Sequence, residues 1–519
     1  MTTKKEVKKK DLPEIKEEKS SETKKEVLID SYSFNSKKIP INITIKQVPG
    51  EFVPIYEVSI SKISKTTEVI LEKIRKELIK EVNLGMVDIT DAKRNDVIEE
   101  RFKETINFLV DKYFPDTDQA TMEFLTSYLI MKSLGMGSME ILMDDVLLEE
   151  VVVNSANEPV WIFHKKHNWL KTNITLADED QVRHYATMIG RKVGRQITNI
   201  EPLLDAHLNE GDRVNATLMP ISSSGNTITL RKFSRNPMTI THFLRFNTLS
   251  ASAASLIWQA MHYELSAIIA GGTASGKTSA LNVFASFFPP NQRIISIEDT
   301  REIRLPKFLH WVPMSTRQAN AEGKGEVSME DLLVNALRQR PDRILVGEVR
   351  RQREAETLFE AIHTGHSCYA TFHANNYEET IRRLTNPPIN VPETMLPAIS
   401  MILMQFRNRR TGYRRTFQIA EITDDSKGNL LMQYDPKKDV LQKKHESKSL
   451  MGTLELYTGS TKLELKKELL EKEKVLNYLV KQSIDTVDNV GRIMAEYYTN
   501  KAELLKYVNK GKSFNFEAK

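Results

Sequence analysis

The feature that most constrains the fold is the octapeptide Gly-Gly-Thr-Ala-Ser-Gly-Lys-Thr at residues 271–278. It follows the apolar run 265–270 directly and precedes the helix-like stretch 279–287. A phosphate-binding loop needs this context, because glycines let backbone amides face the phosphates while the helix N-terminus adds partial positive charge. In such a loop Lys277 would reach the β and γ phosphates and Thr278 would bind Mg²⁺. We therefore predict a nucleotide site here rather than a simple glycine-rich turn.

The second half of the chain contains four short apolar runs, and each is followed by a residue able to do chemistry. The runs are residues 265–270, 293–297, 344–346 and 368–372. The carboxyl ends of parallel strands converge on one ligand crevice. The pattern therefore predicts an α/β domain whose parallel sheet gathers these ends at one edge.

Two of the runs lead into carboxylates, Glu298 with Asp299 and, after a glycine, Glu348. Beside a phosphate loop, Glu348 could order or deprotonate the attacking water, or support the Mg²⁺ shell. Surface carboxylates are the alternative for each pair. Two acidic strand ends together favour nucleotide hydrolysis over nucleotide binding alone, and they leave open which carboxylate polarises the water.

Three histidines, His363, His366 and His373, surround the run 368–372. A spacing of seven residues between His366 and His373 is not that of a metal-ligand pair, and Cys368 inside an apolar run is typical of a buried thiol. We predict instead that a histidine senses the γ phosphate, with a packed or solvated histidine as the alternative.

Four arginines of the first half, Arg191, Arg195, Arg213 and Arg231, are remote in sequence from the phosphate loop. Exposed ion pairs are the usual explanation for such residues. Phosphoryl transfer nevertheless gains greatly from an arginine at the developing charge, and in a ring of identical subunits a separate domain can supply it across the interface.

The composition is that of an intracellular globular protein of several domains. The length of 519 residues suggests about three domains. A net charge of +5 is too weak to indicate nucleic acid as the main partner, and one cysteine excludes an intrachain disulfide framework. The first ten residues lack the apolar core of a signal peptide, and no apolar run approaches the roughly 18 residues that cross a bilayer.

Changes in composition predict four segments. Residues 1–28 are rich in Lys, Glu and Ser and are expected to form a disordered tail. An α+β region is predicted at 29–236, because strand-like runs alternate there with amphipathic stretches. Turn-forming residues mark its end, so the P-loop domain is predicted at 237–425 and a helical C-terminal extension at 426–519.

Taken in order, the motifs resemble the secretion ATPase superfamily of type II and type IV secretion, type IV pili and the archaellum, over roughly residues 144–421. Residues 271–278 look like its Walker A loop, 297–302 like its aspartate box, 346–350 like its Walker B motif and 364–374 like its histidine box. Residues 211–215 and 229–233 are similar to segments of the family's N-terminal domain whose arginines approach the nucleotide.

The resemblance implies a RecA-like P-loop motor domain with a preceding α+β N-terminal domain and a helical C-terminal extension. It also implies a homo-hexameric ring that hydrolyses ATP with Mg²⁺ on the cytoplasmic face of the membrane, against a polytopic membrane platform protein. The implied catalytic residues are Glu348, Glu298, His373, Arg213 and Arg231. The implied nucleotide-binding residues are Gly271, Gly272, Thr273, Ala274, Ser275, Gly276, Lys277, Thr278, Ser279 and His366. Thr278 and Glu348 are the implied Mg²⁺ ligands.

Within the superfamily, residues 274–278, 297–302 and 337–341 look archaeal. Residues 349–355 and 361–364 depart from the archaellum motor pattern, which favours pilus assembly or secretion over an archaellum assembly or rotation motor.

A conjugation-type nucleic-acid translocase is a further alternative. The basic residues in 407–415 are its best support, and the weak net charge disfavours it. The remaining alternative is a ring that binds nucleotide without hydrolysing it and thereby regulates a partner protein.

Overall fold

The computed structural model describes residues 26–60, 63, 65–82, 95–208, 211–233, 237–319 and 323–516. The predicted tail 1–28 lies outside the described residues except for its last three, and Val27 already opens the first strand. The predicted junction at 236 also lies outside the described residues.

A first sheet contains nine described strands. Their bounds are β1 Val27–Ser36, β2 Ile39–Gln47, β3 Ile55–Ile60, β4 Leu148–Val153, β5 Trp161–His164, β6 Asn168–Thr172, β7 Leu203–His207, β8 Arg213–Thr217 and β9 Thr227–Arg231. The order across the sheet is β1-β2-β3-β6-β5-β4-β9-β8-β7. The pairs β1·β2, β2·β3, β4·β5 and β5·β6 are antiparallel, and β3·β6 is parallel.

Alternating burial explains the strand character of this region. In β2 the isoleucines at 39, 41, 43 and 45 are buried while the residues between them are less so, which is the period of two expected of a strand with one covered face. The helices here are α1 Lys65–Val82, α2 Asn95–Tyr113, α3 Gln119–Leu134, α4 Ser138–Asp144 and α5 Glu179–Lys192.

A second sheet also contains nine described strands. Their bounds are β10 Ala267–Gly271, β11 Ile294–Glu298, β12 Trp311–Ser315, β13 Arg343–Val346, β14 Ser367–Phe372, β15 Met401–Arg407, β16 Arg414–Ile422, β17 Gly428–Asp435 and β18 Val440–Lys443. The order is β12-β11-β13-β14-β10-β15-β16-β17-β18. Pairing is parallel from β12 to β15 and antiparallel from β15 to β18. The four predicted apolar runs supply β10, β11, β13 and β14, which confirms the predicted α/β class.

Helices cover both faces of the parallel strands. They are α6 Ile240–Arg245, α7 Ala251–His262, α8 Lys277–Ala285, α9 Met329–Leu337, α10 Gln352–His363, α11 Tyr377–Thr385, a 3-10 helix Glu393–Ala398, α12 Leu450–Thr458, α13 Lys462–Lys481, α14 Val487–Thr499 and α15 Lys501–Lys510. One face packs against α7, α8 and α13 to α15, and the other against α9 to α11. The predicted helical extension 426–519 is wrong in its first part, because β17 and β18 pair in succession onto β16 and continue the sheet; its later part forms α12 to α15, which belong to the core of this sheet.

The chain divides into two compact units. The first comprises residues up to Met188, Thr198–Leu203 and Ala216–Leu230; the second comprises Ile189–Ile197, Leu204–Asn215 and Arg231 onwards. Two short segments that precede the predicted junction thus belong to the second unit. Among the helices that the structure describes, none combines the length and the apolar character needed to cross a membrane.

Candidate nucleotide-binding site

The glycine-rich loop joins the end of β10 to the start of α8 in a tight conformation. A Cβ atom on Gly271 would lie 2.4 Å from Ser275 Oγ and 2.5 Å from Gln405 O, so only glycine fits there. Ala274 and Gly276 have left-handed φ angles of 58° and 92°. Such angles turn the chain sharply within a few residues, which brings the backbone amides to one side of the loop.

Lys277 opens α8 and extends its side chain back over the loop. Its Nζ donates to Gly272 O at 3.2 Å, and Ser275 Oγ donates to the same oxygen at 2.8 Å. Burial lowers the pKa of Lys277, against the opposing charge of Glu348. Thr278 follows in the first helical turn and is partly exposed. A cationic loop with a nearby hydroxyl fits a polyphosphate with its metal ion.

Glu298 ends β11 as a buried carboxyl, only 1% exposed. Its Oε1 accepts hydrogen bonds from the backbone N–H groups of Glu302 (2.9 Å) and Ile303 (3.0 Å). Its Oε2 is buried with no hydrogen-bond partner in the described part of the chain. Burial raises the pKa of Glu298 to about 7 despite those two hydrogen bonds. The group can therefore gain or release a proton near neutral pH, as a general base must.

Glu348 follows β13 and is held in an ion pair. Arg350 donates to Glu348 Oε2 through Nη2 (2.6 Å) and Nε (2.9 Å). Its Nη1 donates to Asp299 Oδ2 at 3.0 Å. One arginine thus joins the carboxylates that follow two neighbouring strands.

His373 lies directly after β14, against the phosphate loop. Its Nε2 is 3.2 Å from Thr273 Oγ1, and its carbonyl accepts a hydrogen bond from Arg383 Nη1. The guanidinium of Arg383 also lies 5.6 Å from the centre of the Phe372 ring. A small pocket of about 130 Å³ lies between these elements; its lining includes Glu348, Arg350, Phe372, His373 and Arg383.

The structure does not bring His366 to this site. His366 precedes β14, and its Nδ1 is 3.2 Å from Ala361 O. The register pairs Ala270 with Phe372, so the phosphate loop and His373 share one edge of the sheet while His366 lies at the other. A strand of six residues separates the two histidines by about 20 Å. The predicted nucleotide contact of His366 therefore has no support within one chain.

Cys368 is buried inside β14, as the sequence predicts. Complete burial raises the pKa of its thiol well above the ordinary value, so it stays protonated. Among the described residues, no group of three or more His, Cys, Asp or Glu side chains is arranged to hold a metal ion.

The predicted arginines have different surroundings. Arg213 forms a two-pronged ion pair with Asp205, at 3.0 and 2.7 Å. Arg231 Nη2 lies 4.0 Å from Glu302 Oε1, beside the segment that follows Glu298. Arg195 donates to the side chain of Gln318 at 3.1 Å. Within one chain, Arg231 lies near Glu302, in the segment that follows Glu298. Arg213 is instead paired with Asp205.

Sequence reasoning assigned no role at the nucleotide site to Arg350, Arg383 or Arg414, although Arg414 lies in the basic cluster 407–415. Arg350 could have been found, because it stands two residues after Glu348. Arg383 and Arg414 carry no local signal: Arg414 Nε donates to Ala274 O at 3.1 Å across 140 residues of chain. Contacts of this range depend on how the strands are ordered.

The family of the chain follows from a comparison with protein-family models. Residues 132–434, more than half of the chain, match the model described as Type II/IV secretion system protein. The chain belongs to this family of type II/IV secretion system proteins, and the resemblance predicted from the motifs is confirmed.

Individual relatives come from archaea and bacteria. An uncharacterized protein of Methanocaldococcus jannaschii is 37% identical over 71% of this chain and 49% of its own length. The Type IV secretion system protein PtlH of Bordetella pertussis is 30% identical over 46% of this chain and 76% of its own length. The chain thus spans about half the length of the M. jannaschii protein. The archaeal relative fits the predicted archaeal branch.

Among solved structures, the pilus retraction motor PilT with bound ADP is similar at 17% sequence identity and a TM-score of 0.42. The alignment covers 73% of this chain and 97% of that one.

Proposed function

We propose that this protein is a Mg·ATP-hydrolysing motor that powers assembly of a type IV pilus-like filament or protein secretion across a membrane. The observation that carries the proposal is that Glu298, Glu348 and His373 lie at the carboxyl ends of β11, β13 and β14, at the same edge of the parallel sheet as the phosphate loop, which His373 contacts. Membership of the type II/IV secretion system family supports a role in secretion or in assembly of a related filament. A phosphate loop that only bound nucleotide would not need two acidic strand ends beside it.

Each residue has a role that its surroundings allow. The loop amides and Lys277 bind the phosphates, and the Thr278 hydroxyl and Glu348 hold Mg²⁺, which supplies charge neutralisation when bound. Glu298 takes the proton of the attacking water, because its Oε2 is buried without a partner and its pKa is about 7. His373 senses the γ phosphate from its place beside Thr273.

The ring is proposed to complete the site. Arg213 and Arg231 of one subunit would stabilise charge at the phosphate loop of the next, in a homo-hexamer at the inner face of the cell membrane. A membrane platform protein would receive the resulting movement.

ATP turnover in single variants tests this proposal. Glu298→Gln and Lys277→Ala should each lower turnover by about 10²- to 10⁴-fold, equivalent to about 3 to 5.5 kcal/mol in the barrier. Glu348→Gln should lower it as strongly, with a raised Mg²⁺ requirement because the carboxylate holds the metal. Glu360→Gln, on the exposed side of α10, is the matched control and should turn over normally. Near-normal turnover in Glu298→Gln and Glu348→Gln would contradict the assignment.

The translocase alternative loses two of the five arginines in its basic cluster in the structure. Arg415 is buried against Asp439, and Arg414 is bound to the phosphate loop. Only part of the cluster 407–415 is left to contact a nucleic acid.

A further inference from the structure

The basic cluster 407–415 is divided between different partners. Arg415 is 7% exposed, and its guanidinium donates to both carboxylate oxygens of Asp439, at 2.7 and 2.9 Å. The preceding residue, Arg414, donates through Nε to Ala274 O at 3.1 Å. Neighbouring arginines of one strand thus serve separate purposes, and Arg414 reaches the middle of the phosphate loop.

The strand order explains how Arg414 reaches the loop. Gly271 pairs with Gln405 on β15, and Arg407 at the end of β15 pairs with Arg414 at the start of β16. Arg414 therefore lies at the same edge of the sheet as the loop that follows Gly271. Side chains of consecutive strand residues point to opposite faces, so the anchored Arg415 directs Arg414 to the other face.

Arg414 contacts a loop residue, Ala274, whose backbone conformation is unfavourable. Ala274 has a φ of 58°, a conformation that costs free energy for a residue with a Cβ. Its carbonyl is bound by Arg414, and the amide of the same peptide unit, on Ser275, donates to Gly272 O at 3.3 Å. Because the peptide unit is planar, these two bonds fix its orientation from both ends.

We propose that Arg414 is a positioning residue that holds the phosphate loop in its binding conformation. The inference rests on the proposed function, because the loop must bind nucleotide. A loop fixed before binding loses less conformational freedom when the phosphates arrive, so its affinity is higher. Arg414 acts through Ala274 and should therefore change nucleotide affinity far more than the chemical step.

Equilibrium binding of ADP to the full chain, with steady-state ATP kinetics on the same samples, tests the inference. Arg414→Ala should raise the Kd for ADP and the KM for ATP about tenfold, because one charge-assisted hydrogen bond is lost, while kcat stays within about threefold. Arg414→Lys keeps a cationic donor and should restore most of the affinity. Arg410→Ala removes the same charge from the exposed turn of the same hairpin and should bind ADP like the unaltered chain.

The outcomes separate this inference from the proposed function. If the unaltered chain binds ADP and Arg414→Ala binds it within twofold, the positioning role is overturned and the proposed function stands. Equal losses in Arg410→Ala, or a fall in kcat at constant KM, would also overturn it. If Arg414→Ala unfolds, Arg414→Met, which keeps the aliphatic stem but has no hydrogen-bond donor, replaces it: a tenfold loss of ADP affinity at an unchanged melting temperature supports the inference, and an affinity within twofold of normal overturns it. An unaltered chain that binds no ADP would overturn both.

Discussion

Glu298 shows how one residue acquires chemistry from its neighbours. A carboxyl at the end of a strand is ordinarily charged at neutral pH, yet this one is buried where β13 ends beside it. A Cβ on Gly347 would lie 3.3 to 3.4 Å from the Cα, Cβ and Cγ atoms of Glu298, so the glycine allows this close packing. The packing removes water, and the loss of hydration raises the pKa to about 7.

The pKa of Glu298 predicts a pH profile. If Glu298 accepts the proton of water, turnover needs the ionised form, so kcat should rise about tenfold between pH 6 and pH 8 with a midpoint near 7. Steady-state ATP turnover across this range, at saturating Mg·ATP, is the measurement. A flat profile would remove Glu298 from the role of base.

The raised pKa of Glu298 should also make the free energy of unfolding depend on pH. The folded state keeps the proton up to about pH 7, whereas the unfolded state releases it near the ordinary 4.5. The free energy of unfolding should therefore fall as pH rises through this window, by about 3 kcal/mol for this group. The glutamine in Glu298→Gln cannot titrate. Urea denaturation at pH 5 and pH 8 should therefore show a smaller fall in the free energy of unfolding for this variant than for the unaltered chain.

At the scale of elements, the C-terminal helices complete the core beyond residue 434, where the family match ends. Lys472 of α13 is fully buried, with Nζ 2.9 Å from Glu468 Oε1 and 3.3 Å from Gln259 Oε1 of α7. Burial lowers its pKa to about 8. In α14, Tyr498 donates to Phe287 O just beyond α8. These contacts tie the extension to the helices on either side of β10 and the phosphate loop.

We expect Lys472→Met to destabilise the protein by about 3 kcal/mol. The variant keeps most of the side-chain volume but removes the buried cation paired with Glu468, and breaking such a pair on one side is costly even though Gln259 and Tyr263 still donate to the carboxylate. Chemical denaturation of the full chain measures the effect. Lys474→Met, two residues away on the exposed side of α13, is the matched control and should change stability by less than about 0.5 kcal/mol. Equal stability of the two variants would show that the pair is dispensable.

At the scale of the whole molecule, the proposed motor depends on sharing a site between subunits. Arg213 is held by Asp205 in its own chain, and this ion pair would have to open for the arginine to reach a neighbour. An exposed pair of this kind is weak enough to be exchanged for a phosphate. Six copies of a 59.5 kDa chain would give a ring of about 357 kDa.

Mixed rings test the shared site. Arg213→Ala and Lys277→Ala subunits should each be inactive alone, because each removes one side of every site. An equal mixture should recover activity at about a quarter of its interfaces, where an intact loop meets an intact arginine. Phosphate release across mixing ratios, with mass photometry to verify ring formation, is the measurement.

A control mixture separates this result from simple rescue. Glu348→Gln and Lys277→Ala lie on the same side of the interface and should not complement each other at any ratio. If the Arg213→Ala mixture is equally inactive in rings of the right mass, Arg213 does not act across the interface.

By itself, the sequence determined the phosphate loop, the four parallel strands and the carboxylates that follow them. These features depend on neighbouring residues: a glycine-rich turn, short apolar runs, and the acids that come next in the chain. Backbone geometry and strand periodicity act over a few residues, so a contiguous stretch is enough to predict them. The family also followed from these stretches.

Only the tertiary structure decided which distant residues meet. It buried Lys472 between α13 and α7, and set Arg414 against Ala274. Neither contact follows from spacing along the chain, because each depends on the order and register of strands or on which helix faces pack together; the separation of His366 from His373, by contrast, follows from the six-residue strand between them. Strand order and helix packing are determined by the burial of apolar surface throughout the domain, so they cannot be predicted from the identity of single residues.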